Sequence, residues 1–227
     1  SGQGKSTFCR QLAVNLLTQG ERVGYLALEE SNRRTALGLM STAVGKSLHI
    51  GEHERTDLEE YFRDTIANWN LYLFDGFGSF DPDVIYNRIE YLASGLECRI
   101  IFLDHLSILL SGLDGDERRM LDQTMTRLRS LVERTGIALF LVSHLRRTGN
   151  DRTSHEEGGQ VSLSQLRGSA GIAQLSDQVI ALERNQQSTD ERDIATLRII
   201  KNRYSGETGF AGKIKFDLET SRFTDYE

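Results

Sequence analysis

The chain has 227 residues, 38% of them hydrophobic and 26% charged, with a formal net charge of −6. That composition supports one sizeable core and excludes a disordered or fibrous chain, while the acidic total argues against binding nucleic acid over the whole surface, since phosphate contacts need clustered Lys and Arg. The longest apolar runs, Ile100–Leu103 and Ile137–Val142, are strand-sized and too short to span a bilayer.

In chain order, Ser1-Gly2-Gln3-Gly4-Lys5-Ser6-Thr7 supplies all but the first Gly of the phosphate-loop motif G-x-x-x-x-G-K-[ST]. Glycines there let backbone N–H groups wrap phosphate oxygens, Lys5 faces the β/γ-phosphates, and the Ser6 hydroxyl is suited to Mg²⁺. A helix Lys5–Gln19 follows and closes at Gly20; the missing Gly and the strand carrying it are expected upstream of Ser1. A strand Val23–Leu28 comes next, then a helix capped by Ser31 that runs to Val44 before Gly45. Thr56 and Glu59 have the spacing of a capping box for a third helix. Leu71–Phe74 reads as a strand, and Asp81-Pro82 as the cap and first residue of a helix Pro82–Ser94 that stops at Gly95. Arg99–Leu103 is a strand, Asp116–Arg134 a long charged helix, and Ile137–Val142 another strand. Beyond Ala195 the period changes to two: Ala195–Lys201, a turn at Ser205-Gly206-Glu207-Thr208-Gly209, and Gly212–Asp217 predict an antiparallel hairpin on the sheet edge.

The expected fold is therefore α/β, a RecA-like P-loop NTPase core whose mostly parallel sheet is flanked by helices, with a C-terminal antiparallel hairpin. The lone proline, Pro82, and the absence of repeats or Pro/Ser-rich stretches predict one domain over residues 1–227. Cys9 and Cys98 are too few and too far apart for a disulfide framework, and fit reduced structural thiols in a cytosolic setting.

Sheets of this class bind ligands beyond the carboxyl ends of their strands, and acids and a histidine fall there. Asp104 ends the apolar run Ile100-Ile101-Phe102-Leu103, the pattern of a Walker B strand whose carboxylate holds Mg²⁺ beside Ser6. Of Glu29 and Glu30, Glu29 is assigned as the base that activates water, and Glu30 as a solvated acid favouring the next helix N-terminus. His144, at a strand end, is open between a structural role and a γ-phosphate sensor.

The polar segment 145–159 contains Arg146, Arg147 and Arg152, and suits either a grip on a phosphate backbone or a solvated insertion. Leu166-Arg167-Gly168-Ser169-Ala170-Gly171 is a second small-residue loop whose backbone admits close approach of a ligand. Lys201 and Arg203, spaced i, i+2, leave the same face of their strand, as an arginine finger and neighbour or as ordinary edge charges.

These features together resemble the RecA-like motor domain of hexameric replicative helicases, the phage T7-type primase–helicase and mitochondrial Twinkle group above all, with bacterial DnaB more distant. The stretches that carry the resemblance are Ile101-Phe102-Leu103-Asp104-His105-Leu106-Ser107, His155-Glu156-Glu157-Gly158, Leu166-Arg167-Gly168-Ser169, Gln174-Leu175-Ser176-Asp177 and Ala181-Leu182-Glu183-Arg184-Asn185-Gln186-Gln187. The resemblance implies Gly2, Gln3, Gly4, Lys5, Ser6 and Thr7 on nucleotide, Ser6 and Asp104 on Mg²⁺, Glu29 as base, His144 as sensor, and Arg203 with Lys201 as a finger from a neighbouring subunit. It implies that Arg184 and Phe216 sandwich the nucleotide base, with Phe where Tyr is familiar, and that Arg146, Arg147, Arg152, Gly168 and Ser169 line a channel holding single-stranded DNA. It further implies ATP or dTTP as substrate, a homo-hexamer or heptamer, 5′→3′ unwinding at a replication fork, an upstream primase-like domain, a replisome polymerase as partner, and a cytoplasmic location in a phage-infected or bacterial cell. A filament-forming RecA-type recombinase is the alternative that shares the fold.

Overall fold

The computed structural model describes residues 4–76, 81–110, 117–144, 158–163, 166 and 170–227. Its first half alternates helix and strand: α1 (Lys5–Thr18), β1 (Val23–Ala27), α2 (Asn32–Val44), α3 (Arg55–Asp64), β2 (Leu71–Leu73), α4 (Pro82–Ser94), β3 (Ile100–Asp104), α5 (Leu106–Leu110), α6 (Glu117–Thr135) and β4 (Ala138–Leu141). A short α7 (Ala170–Leu175) then leads into β5 (Gln178–Arg184), β6 (Ile194–Asn202), β7 (Gly209–Asp217) and β8 (Arg222–Tyr226).

Continuous apolar runs, not alternation, mark strands covered on both faces, and β1 is buried at every residue. The four early strands form a parallel sheet in the order β2-β1-β3-β4. Successive side chains on β1 leave opposite faces. Leu26, with Ile101 and Leu103 of β3, packs under α4 and α6 through Ile85, Ile89, Met125 and Leu128. Val23, Tyr25 and Ala27 pack with Phe102 against Ala13, Val14 and Leu17 of α1. From β1 the chain moves outward to β2 and then crosses to β3 on the other side. That reversal opens a crevice at the carboxyl ends of β1 and β3, where Ala27 and Asp104 are in register.

The expected caps form at two helices. Ser31 Oγ accepts from Arg34 N at the start of α2, Gly45 ends that helix at φ 68°, and Asp81 accepts from Asp83 N at 2.9 Å before Pro82. The capping box does not form. α3 begins at Arg55 with Glu54 at its cap, so Thr56 lies inside the first turn. The Glu59 carboxylate, which a box would turn back to the Thr56 N–H, accepts from Arg55 Nε at 2.7 Å instead.

The C-terminal antiparallel hairpin forms as expected, but not on the edge of the parallel sheet. β6 and β7 are the middle pair of a separate four-stranded antiparallel sheet, β5-β6-β7-β8. Both edges of β6 are used by β5 and β7, which leaves no edge for the parallel sheet. This second sheet packs on α1 through Ala195, Ile214 and Phe223, with Phe8 and Leu182 against them. Gln11 fixes the junction: its amide donates to the Phe223 carbonyl at 2.7 Å and its side-chain oxygen accepts from Phe223 N at 2.6 Å. The helix that begins at the phosphate loop is therefore held from two sides.

Both cysteines are free, and burial pushes the Cys9 thiol up to about 12 and the Cys98 thiol to about 11, so neither is a reactive thiolate. Among the described residues no helix is long and apolar enough to cross a membrane.

Candidate functional site

A cleft of roughly 290 Å³ opens where α1 begins and β1, β3 and β4 end. Gly4, Lys5, Ser6 and Thr7 form its floor, Glu29, Asp104, His105, Val142 and His144 one wall, and Arg184, Phe216 and Phe223 the other. Gly4 has φ 88°, the left-handed region that favours glycine, and a Cβ there would lie 3.2 Å from the Phe223 ring. The floor is the N-terminus of a 14-residue helix, whose free N–H groups and dipole attract anions. Ser1, Gly2 and Gln3, the rest of the loop expected from sequence, lie outside the described residues.

Opposed to that floor is a wall rich in acid. Burial raises the Asp104 carboxyl above the usual carboxylate range, while a hydrogen bond from Ser6 and the charges of His105 and Arg10 pull it back down. Burial likewise lowers the Lys5 ammonium, opposed by the charges of Asp104 and Glu29. Two hard oxygen donors, the Ser6 hydroxyl and the Asp104 carboxylate, thus touch at the helix N-terminus, a donor set that fits Mg²⁺. Glu29 follows β1, lines the cleft, and has 56% of its side chain open.

Glu30 is not the solvated acid expected. Only 17% of its side chain is exposed, and it accepts from Arg10 at 2.5 Å and from the Thr35 hydroxyl at 2.8 Å. Its work is to tie α1 to the start of α2. Of the two acids, Glu29 lines the cleft and Glu30 does not.

His144 lies in the cleft wall, half-buried, and burial, with the charges of His105 and Lys5, holds it down at about 4. Its ring meets the His105 ring edge-on, with centroids 4.1 Å apart. Through one ligand atom each, Glu29, His105 and His144 come within 4.8 Å of one another. Two imidazoles and a carboxylate suit a zinc-class ion and not Mg²⁺.

Arg184 and Phe216 both reach the cleft, and the Phe216 ring meets that of Phe223 at a tilt of 54° with centroids 5.1 Å apart. Phe223 carries no signal in the sequence, because β8 follows a turn and its alternation covers only five residues. Arg203 and Lys201 do not line the cleft of their own chain. Arg203 is paired with Asp177 at 2.9 Å, and Lys201 Nζ donates to the carbonyls of Ala173, Gln174 and Ser176 at the end of α7. Arg146, Arg147, Arg152, Gly168 and Ser169, expected on DNA, lie outside the described residues.

Residues 1–225 match the family described as the DnaB-like helicase C-terminal domain. The chain is 38% identical over 232 residues to a DNA helicase/primase of Enterobacteria phage T3, covering 97% of this chain and 40% of that protein. It is 27% identical over 230 residues to a probable plasmid replicative DNA helicase of Chlamydia trachomatis, covering 97% and 48% respectively. A solved structure of an ATPase domain superposes with a TM-score of 0.81 at 20% identity, over all of this chain and 82% of that one. The chain spans less than half the length of the curated relatives it matches.

Proposed function

Because the chain belongs to the family of DnaB-like helicase C-terminal domains, we propose that it is the motor of a replicative DNA helicase, which hydrolyses a nucleoside triphosphate to move along single-stranded DNA and unwind duplex at a fork. The observation that carries this reading is the meeting of Lys5, Ser6, Glu29, Asp104 and His144 at one cleft, on the N-terminus of α1.

In this reading the triphosphate lies on the first turn of α1, with Lys5 against its β/γ oxygens. Ser6 and Asp104 would hold Mg²⁺, which when bound neutralises charge on the β- and γ-phosphate oxygens. Glu29 takes a proton from water as the water oxygen attacks the γ-phosphorus. The bond from that phosphorus to the β-bridging oxygen breaks, and nucleoside diphosphate and phosphate leave. His144 accompanies the γ-phosphate, and Arg184 and Phe216 hold the base by cation–π and stacking contacts that suit ATP and dTTP alike. Arg203, with Lys201, acts on the site of a neighbouring subunit in a ring of six or seven, and Arg146, Arg147 and Arg152 grip the DNA. Polarity is 5′→3′, with a primase-like domain and a polymerase as partners.

Strand displacement on a forked duplex tests this directly. Unwinding is expected with ATP or dTTP and Mg²⁺, with hydrolysis stimulated by single-stranded DNA and both cut by about 10²- to 10⁴-fold in Glu29→Gln. Filaments on DNA in negative stain, without strand displacement, would overturn it.

A further inference from the structure

His105 follows the Walker strand directly. Its side chain is only 7% exposed, and its Nε2 lies 2.5 Å from Glu29 Oε1. A carboxylate can only accept, so Nε2 carries the proton and donates. The other ring nitrogen, Nδ1, is buried without a hydrogen-bond partner among the described residues. The His144 ring abuts the same imidazole at 86°. A buried polar group tolerated at such cost, with its one bond aimed at the open end of a long acidic side chain, needs a reason beyond packing.

We infer that His105 is a positioning residue for the water-activating carboxylate, holding Glu29 toward the γ-phosphate end of the cleft. This rests on the assignment of Glu29 as base. Glu29 sits on a strand-end segment with more than half its side chain in solvent, and free rotamers would spread its carboxylate over several orientations. Base catalysis requires one, and a misplacement of about 1 Å can cost about 100-fold in rate. His105 is suited to fix it because its own ring is held by burial and by the edge of His144. The same contact puts the sensor histidine against the side chain that orients the base.

The test uses the full chain with Mg²⁺ and ATP, and separately dTTP. His105→Phe keeps a ring and removes the donor; kcat should fall about 10- to 100-fold with KM within about threefold. His105→Gln, whose amide nitrogen can reach the same carboxylate, should restore most of the loss. His105→Asn, small enough for the space but short of Glu29, should behave like Phe, which covers the case that Phe folds poorly. In a Glu29→Gln background, His105→Phe should cost nothing further, because its effect passes through the carboxylate. A further loss in that background, a Gln variant as slow as Phe, or unchanged kcat in the Phe and Asn variants would overturn the inference. So would stoichiometric zinc in the purified protein that the Phe variant lacks, since His105 would then be a metal ligand. Undiminished turnover in Glu29→Gln alone refutes the base assignment itself, and is read before the His105 variants are made.

Discussion

The Arg203 guanidinium donates to the Asp177 carboxylate at 2.9 Å and to the Gln174 carbonyl at 2.7 Å. Asp177 also accepts from Arg129 of α6 at 2.6 Å. The side chain expected to act on a neighbour is thus parked, within its own chain, at the end of α7. This pair is exposed enough that its loss should cost stability less than about 1 kcal/mol. Arg203→Ala should therefore leave Tm and nucleotide binding near those of the wild type, while turnover falls on the order of 10³-fold. Mixing supplies the stricter check. Arg203→Ala protein keeps an intact phosphate loop, and Lys5→Ala protein keeps an intact finger. If Arg203 acts in trans, the mixture should regain hydrolysis that neither has alone; a mixture as inactive as its components would refute it.

How much of this was legible in the sequence depends on whether a signal was local. The phosphate loop, the Asp104 strand and the caps at Ser31 and Asp81 involve residues within a few positions of one another, and each could be read directly. Thr56 and Glu59 show the limit of such reading, because the spacing fits two uses of Glu59 and Arg55 takes it. β5 and β8 escaped because Gln178–Arg184 and Arg222–Tyr226 become strands by pairing with β6 and β7, partners that spacing does not reveal. For the same reason Phe223 could not be placed over Gly4, nor Lys201 under α7. His105 was visible within the Walker stretch as a titratable residue beside the metal acid, but its bond to Glu29, 76 residues away, exists only in the fold.

Lys201 has a role in its own subunit that can be measured apart from catalysis. Its ammonium meets the carbonyls of Ala173, Gln174 and Ser176 at 2.5, 3.0 and 2.7 Å, which caps α7 where its unpaired carbonyls and dipole favour a cation. Lys201→Ala should cost about 1–2 kcal/mol, a Tm loss of roughly 2–8 °C, with faster amide exchange in residues 170–175. If exchange there is unchanged, the cap is not what holds α7.

An ion pair with a buried acid and a partly exposed guanidinium ties strands of the second sheet together. Glu183 is 6% exposed, accepts from Arg198 at 2.9 and 3.1 Å, and takes the Val161 N–H at 2.7 Å. Removing the acid leaves a buried backbone donor and a guanidinium, 21% exposed, without their partner. Glu183→Ala should cost about 1–3 kcal/mol, whereas replacing both residues by apolar ones of similar size should cost less. Denaturant titration of the two variants decides this, and equal losses would show that packing, not the stranded charge, sets the cost.

The depressed His144 fixes the sign of one pH effect. Its folded value of about 4 lies below the ordinary 6.5, through burial first and then through the charges of His105 and Lys5, with Glu29 opposing. Between those two values the unfolded chain binds a proton that the folded chain refuses, so stability contributed by this group is full above about 6.5 and falls as pH drops toward 4. The site is only half-buried, and allowing for solvent screening the loss is about 1 kcal/mol, or roughly 2–4 °C in Tm. His144→Gln cannot take up that proton, so its Tm should fall less steeply than that of the wild type between pH 6.5 and 4. Parallel Tm curves for the two proteins over this range would show that the imidazole titrates normally in the folded state. In the proposed mechanism His144 contacts the γ-phosphate, so its removal should weaken discrimination between triphosphate and diphosphate in a nucleotide-binding assay.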